Sequence, residues 1–380
     1  MSVYLDNAAT SFPKPESVYE AMDRYGRTVG GSPGRAEHKG AAEATAMVAG
    51  ARHDLARLLN ASDPNRVIFA ANATQALNLA LKGLLRPGDH VVTSSVEHNA
   101  VWRPLKALER RGVEVSAVRC TPEGVLDPAD VAAALRPNSR LIAVTHASNV
   151  LGTLLPVAEL AELAHQRGLL ILVDAAQTAG AVPIDVAGLG IDLLAFTGHK
   201  GLLGPAGTGG LVVGPGVELE PLLEGGTGGN SALETMPPDL PMHLEAGTLN
   251  GVGIAGLRAG VRFLLEQGVE AVRRHECELT DHLLTGLRML PGVTVYGPRD
   301  PTARTAVVSV NIEDFEPEQV GLALDEAYDV ATRAGLHCAP QAHRTMGTIE
   351  RGTLRLSPGF FTTHEDITYA LEALEGIVAA

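Results

Sequence analysis

Positive charge is in short supply in this chain: 30 lysines and arginines face 44 aspartates and glutamates, for a formal charge of −14. Neutralising a phosphate backbone needs a basic face, so this balance argues against a nucleic-acid partner. Cysteine is scarce too, with three residues at positions 120, 277 and 338. That number gives no disulfide framework and suits a reducing compartment. No apolar run is long enough to span a bilayer, so no membrane partner is expected. The opening Met-Ser-Val-Tyr-Leu-Asp has neither the charged nor the apolar segment of a secretory leader, and a cytoplasmic protein is the expectation. Internal repeats and charged low-complexity tracts are missing as well. What remains is an ordinary globular composition, 45% apolar and 19% charged over 380 residues, long enough to bury a large core.

The dominant pattern is an alternation of strands and helices. Strands are expected at 66–70, 90–94, 113–118, 140–146, 169–174, 192–197 and 208–213, with helices near 73–85, 99–111, 127–135 and 156–167 between them. Such alternation implies a mainly parallel sheet wrapped by helices. Before it, Pro13 and Pro15 keep residues 4–15 extended until a helix begins near Glu16. Gly30 to Arg35 form a turn leading into a helix at about 36–60, with His38 a polar residue on its first turn. After it come long helices from about Gly251 and Val269, then a smaller α+β region. The expected division is a large domain over 16–252 and a small one built from 1–15 with 253–380.

Two stretches carry chemistry. In the first, an apolar strand ends at Thr197-Gly198-His199-Lys200, with further glycines at 201 and 204. Burying an ammonium is costly, and a lysine so placed can have its pKa lowered and act as a Schiff-base nucleophile. On this stretch alone, a surface lysine in a loop reads equally well. In the second, the apolar strand 168–173 ends at Asp174. Ligands of open α/β sheets bind at the C-terminal ends of the strands. Pyridoxal phosphate asks a protein for a lysine to take its aldehyde and a carboxylate to face its ring nitrogen, and Lys200 and Asp174 supply both.

Val173-Asp174-Ala175-Ala176-Gln177 followed by Thr197-Gly198-His199-Lys200 resembles the class V aminotransferases, PLP enzymes of fold type I. Within them the chain resembles the cysteine desulfurase and selenocysteine lyase branch of the SufS type, from Tyr4 to Arg355. The resemblance implies a homodimer with shared active sites and gives roles to several residues. Ala73 and Thr74, at a helix N-terminus that itself suits an anion, would hold the cofactor phosphate with Thr197 and His199. Thr248 would reach the phosphate of the other subunit. His98 would stack on the ring and shuttle protons, while Asn149 and Gln177 would lie beside the ring oxygen. Glu97, next to His98, reads as a local charge at a helix start, and His146 as a satisfied core histidine. Ala8 would line the substrate, with Arg355 clamping its carboxylate and Arg333 nearby.

Arg333-Ala334-Gly335-Leu336-His337-Cys338-Ala339 matches the loop in which that branch carries its catalytic cysteine. Histidine and arginine beside Cys338 are positive neighbours that favour a thiolate. A metal set of Cys338 with His337 and His343 lacks a clean zinc spacing. Cys120 and Cys277 read as structural thiols. The implied reaction is desulfuration of L-cysteine to alanine, with a persulfide on Cys338 passed to a sulfur-acceptor protein, as in iron–sulfur cluster assembly. Selenocysteine lysis, or another class V reaction in which Cys338 is idle (a carbon–sulfur lysis, transamination or epimerisation), are the alternatives. A non-catalytic partner protein is a further one.

Overall fold

The computed structural model describes residues 2–34, 38–229 and 232–379. The expected Gly30–Arg35 turn therefore runs partly, at Arg35, outside the described residues. Strands in chain order are β1 (Val3–Tyr4), β2 (Val67–Ala70), β3 (His90–Ser94), β4 (Glu114–Val118), β5 (Ser139–Thr145), β6 (Leu170–Asp174), β7 (Leu193–Thr197) and β8 (Gly209–Val213). They continue as β9 (Val293–Tyr296), β10 (Val308–Ile312), β11 (Val330–Ala331), β12 (Arg333–Gly335) and β13 (Thr353–Leu356). Helices are α1 (Glu16–Thr28), α2 (Lys39–Leu59), α3 (Ala73–Leu84), α4 (Asn99–Glu109), α5 (Pro128–Ala134) and α6 (Val157–Gln166). Then follow α7 (Gly251–Gln267), α8 (Val269–Met289), α9 (Pro317–Tyr328), α10 (Pro340–Met346) and α11 (His364–Val378).

Seven strands form one sheet in the order β2-β8-β7-β6-β5-β3-β4. Only β8 runs against its neighbours, pairing antiparallel with β2 and β7. The central strands are buried on both faces, as the near-continuous apolar runs at 141–144, 170–173 and 193–196 require. Alternate side chains divide between two cores. Ile142, Val144, Ile171, Val173, Leu194 and Phe196 face α2, α6 and α7. Leu141, Ala143, Leu172, Leu193 and Ala195 face α3 and α4. Gly209 on β8 sits where a Cβ would come within 2.8 Å of the Asn72 backbone, so only glycine lets β8 pass so close to the start of α3.

The smaller part is a four-stranded antiparallel sheet, β12-β13-β10-β9, backed by α8, α9 and α11. The N-terminal arm crosses to it: β1 pairs with β11, and Asp6 bridges to Ser357. Val3 and Leu5 are buried in this part's core, with Leu283, Val310 and Leu374. The expected architecture, a large mainly parallel sheet beside a smaller α+β part, is what is observed. Helix α7 packs its Ile254, Leu257, Val261 and Leu264 into the core of the large sheet. None of the helices among the described residues is long and apolar enough to cross a membrane. His38 stands just outside α2 as its N-cap, where its Nδ1 accepts from the Ala41 N–H.

Candidate active site

Strands β5, β6 and β7 are parallel, so their C-terminal ends open on one edge of the sheet. Thr145, Asp174 and Thr197 close these strands, and Lys200 follows three residues on. The four line one cavity of about 190 Å³. The arm, the start of α3, His98 before α4, and Arg333 and Arg355 from the small sheet complete its wall.

Asp174 is buried, with one oxygen accepting from the Ala176 N–H at 3.0 Å and the other without a protein partner among the described residues. Desolvation pushes its carboxyl above the usual carboxylate range. The Lys200 ammonium makes no hydrogen bond or ion pair among the described residues, while its backbone carbonyl accepts from the Leu203 N–H at 2.8 Å. Burial, with the Arg355 charge adding to it, lowers its ammonium pKa to about 8. At the start of α3 the Asn72 side chain caps the Gln75 N–H at 2.9 Å. The N–H groups of Ala73 and Thr74 have no partner among the described residues and sit at the positive end of a 12-residue helix. Thr197 and His199 lie on the same wall.

His98 caps α4, its Nδ1 accepting from the Ala100 N–H at 3.0 Å. Burial and the nearby Lys200 and Arg333 charges lower its pKa to about 4, so the ring is neutral with its proton on Nε2. Gln177 donates to the Ala8 carbonyl at 3.1 Å, so its amide nitrogen is tied to the arm and its oxygen is the free atom. Arg355 is 1% exposed. Its guanidinium donates to the Asn149 carbonyl at 3.1 Å and to Asp6 Oδ1 at 2.7 Å. Buried polar atoms without partners among the described residues, Asn149 Oδ1 and Arg355 Nε, stand on these cavity residues.

This inventory fits pyridoxal phosphate. A spare carboxylate oxygen suits a protonated ring nitrogen, two free N–H groups at a helix start suit the phosphate, and an amine of lowered pKa suits the aldehyde.

Cys338 is exposed and stands next to this cavity, its Sγ 3.8 Å from Arg333 Nη2. The expectation that both neighbours are positive needs correction. His337 is buried and donates from Nε2 to the Thr353 carbonyl at 3.0 Å. Burial, helped by Arg355, drives its pKa down to about 2, so it carries no charge, and Arg333 is the cation at the thiol. Among the described residues, Cys338, His337 and His343 form no metal-ligand cluster. Thr248 is exposed and lies outside the cavity wall, on a segment anchored by the buried Glu245 to Arg52. His146 is buried against Thr178 Oγ1 at 3.0 Å, as a core histidine should be. Cys120 is buried.

Glu97 also departs from expectation. It is fully buried, accepting from the Thr145 N–H at 3.0 Å and from Ser94 Oγ. Desolvation raises its pKa to about 8, and the Asp174 charge adds to the rise. At neutral pH Glu97 therefore keeps its proton, which spares Asp174 a second buried charge beside it. The sequence signal was its position three residues past the end of β3, at the sheet edge where Asp174 also ends a strand. Asp6 was also missed as a site residue. An acid set among small residues in an extended arm, Leu5-Asp6-Asn7-Ala8-Ala9, is what pointed to it.

A lysine and an aspartate at neighbouring parallel strand ends, with the free N–H groups of a helix start lining the same cavity, define a pyridoxal-phosphate-dependent α/β enzyme. The chain belongs to the class-V aminotransferase family, whose model matches residues 3–369. It is 37% identical over 384 residues to a probable cysteine desulfurase of Methanothermobacter thermautotrophicus, covering 99% of this chain and 94% of that one. It is 33% identical to cysteine desulfurase IscS of Dictyoglomus turgidum, covering 99% and 94%. Among solved structures, the apo cysteine desulfurase of Thermococcus onnurineus NA1 matches with a TM-score of 0.93 at 33% identity, covering 100% of this chain and 95% of that one. The cysteine desulfurase CsdA of Escherichia coli, in an S-sulfonic acid form, matches at 0.90 and 29% identity, covering 100% and 95%.

Proposed function

We propose that the protein is a pyridoxal-phosphate-dependent L-cysteine desulfurase. The observation that carries this reading is the exposed Cys338 thiol beside the cavity that holds Lys200, Asp174 and Arg355. A thiol there has a use in desulfuration and none in a plain transamination. The named relatives support the same reading.

Arg355, kept in place by Asp6, receives the substrate carboxylate through two hydrogen bonds. Bound pyridoxal phosphate supplies the electron sink for the pair released at the substrate Cα. Asp174, with Glu97 protonated beside it, holds the proton on the ring nitrogen. Lys200, with its lowered pKa, takes the Cα proton and returns one to carbon. His98 presents a neutral ring with an Nε2 proton to the same face. The Cys338 thiolate attacks the substrate sulfur. The sulfur–sulfur bond forms, the Cβ–S bond breaks, and Cβ is reduced to a methyl by taking up a proton. Alanine leaves, and the sulfur stays as a Cys338 persulfide.

Ala73, Thr74, Thr197 and His199 hold the cofactor phosphate in this reading, while Asn149 and Gln177 flank the ring. Thr248, exposed on its anchored segment, serves the second subunit of a homodimer. A cytoplasmic acceptor protein removes the sulfur. The test is incubation with L-cysteine and a reductant, scored for alanine and sulfide. Equal amounts of both are expected. Cys338→Ser should lower turnover by at least about 10³-fold while the bound cofactor's visible absorbance persists. Unchanged turnover in that variant would overturn the reading.

A further inference from the structure

The thiol loop is held in a conformation that its residues do not favour. His337 and Cys338, neither of them glycine, have φ of 48° and 59°. Two consecutive L-residues in the left-handed region persist only where the surroundings over-determine them. Three contacts do so. The His337 carbonyl accepts from Asn149 Nδ2 at 2.7 Å. The Cys338 carbonyl accepts from the Asn99 N–H at 2.8 Å. The His337 ring meets both the carbonyl and the hydroxyl of Thr353, at 3.0 and 3.2 Å.

The third contact ties the loop to a particular strand. Thr353 and Arg355 are two apart on β13, so their side chains project to the same face. One strand thus carries the anchor of the thiol loop and the guanidinium that clamps the substrate carboxylate. We propose that His337 is a positioning residue: its ring, seated on Thr353, holds the Cys338 thiol in register with Arg355. The inference rests on the desulfurase reading for its consequence, but the anchoring can be tested without it.

The chemistry of the contact limits what His337 can be. A carbonyl accepts only, so Nε2 carries the proton. Nδ1 is then a bare, buried acceptor without a partner among the described residues. The ring bonds to Thr353, makes no hydrogen bond to the thiol among the described residues, and remains neutral, so it gives Cys338 no charge. Length and a donor at the right place are what matter. Glutamine sets an amide N–H close to where histidine sets Nε2, whereas leucine has the bulk and no donor.

The experiment compares His337→Leu and His337→Gln with the wild type, first as cofactor-free protein. Amide hydrogen exchange over 335–340 should be at least tenfold faster in His337→Leu, because the Ala339 N–H bond to the Leu336 carbonyl loosens with the loop. In His337→Gln it should stay near the wild-type rate. With cofactor and L-cysteine, His337→Leu should lower kcat about tenfold with KM and the cofactor absorbance unchanged, and His337→Gln should recover most of it. Thr353→Val, which removes the hydroxyl and keeps the strand, should show the same exchange effect in smaller measure and serves if His337→Leu does not fold. Wild-type exchange in His337→Leu and Thr353→Val overturns the proposal. Equal losses in the leucine and glutamine variants overturn it too, since imidazole chemistry would then be at work. If the wild type makes no alanine from cysteine, the desulfurase reading fails while the exchange comparison stands.

Discussion

The floor of the site and its thiol loop are built on opposite plans. The floor comes from the ends of adjacent parallel strands, where Asp174 and Lys200 follow runs of buried aliphatic side chains. Register within the sheet sets Asp174 opposite Ala195, and the turn after β7 brings Lys200 to the same cavity. The loop has no such support of its own. It is exposed at Cys338, adopts left-handed backbone at two residues, and is pinned by Asn99, Asn149 and Thr353 from elsewhere in the chain. A cofactor needs a fixed, dry seat, and a sheet edge gives one. In the desulfurase reading proposed above, a thiol that hands sulfur onward needs access, and Cys338 is exposed and held by tertiary contacts.

The strongest way to break this comparison is to remove the floor. Lys200→Ala should cost turnover about 10²–10⁴-fold and abolish the lysine-linked visible band, which Cys338→Ser should keep. If both variants lose the band, floor and loop are not separable. The same amine gives a pH test in the wild type. Its pKa is lowered to about 8, so below that pH it is protonated and cannot attack the aldehyde. Cofactor uptake by the cofactor-free protein should therefore rise as pH passes upward through about 8, followed by absorbance. Uptake that is flat from pH 6 to 9 would mean a different nucleophile or a free amine throughout.

A smaller effect is expected where the two regions meet. Asp6 pairs with Arg355 at 2.7 Å, and the arm carries it there by pairing β1 with β11. Asp6→Asn keeps the size and removes the charge that orients the guanidinium. KM for L-cysteine should rise roughly tenfold, about 1.4 kcal/mol of binding, with kcat changed less and the cofactor band intact. Asp6→Glu should recover part of the loss. A fall in kcat at constant KM would assign Asp6 to the chemical step instead.

How much of this could be read from the sequence follows the same divide. The floor was legible because its signals are local: an apolar strand, then Asp174 or Lys200 at its end, then glycines. The alternation of elements likewise fixed the sheet type, since each strand and helix declares itself within a dozen residues. The thiol loop was legible only as a motif. Neither the left-handed backbone at 337 and 338 nor the turning of His337 onto Thr353 has a local signature, and so His337 was read as a charge beside the thiol. Glu97 was misread for the same reason. A carboxylate before a helix looks like a helix-start charge until Thr145, distant in sequence, is seen to bury it.

Glu97 gives the smallest and sharpest test of the floor. Its folded pKa, about 8, lies above its ordinary 4.5, so folding takes up a proton between those values. The stabilisation is complete below about pH 4.5 and is lost as pH rises through about 8. Glu97→Gln keeps an oxygen for Ser94 and Thr145 and cannot titrate. The wild-type Tm should fall between pH 6 and pH 8.5 by about one to three degrees more than that of the variant. Glu276, also buried with a pKa raised to about 8, is present in both proteins and drops out of the difference. Parallel Tm curves would mean that Glu97 is already ionised in the folded protein. The floor would then hold two buried anions instead of one, and the protonated partner proposed for Asp174 would be lost.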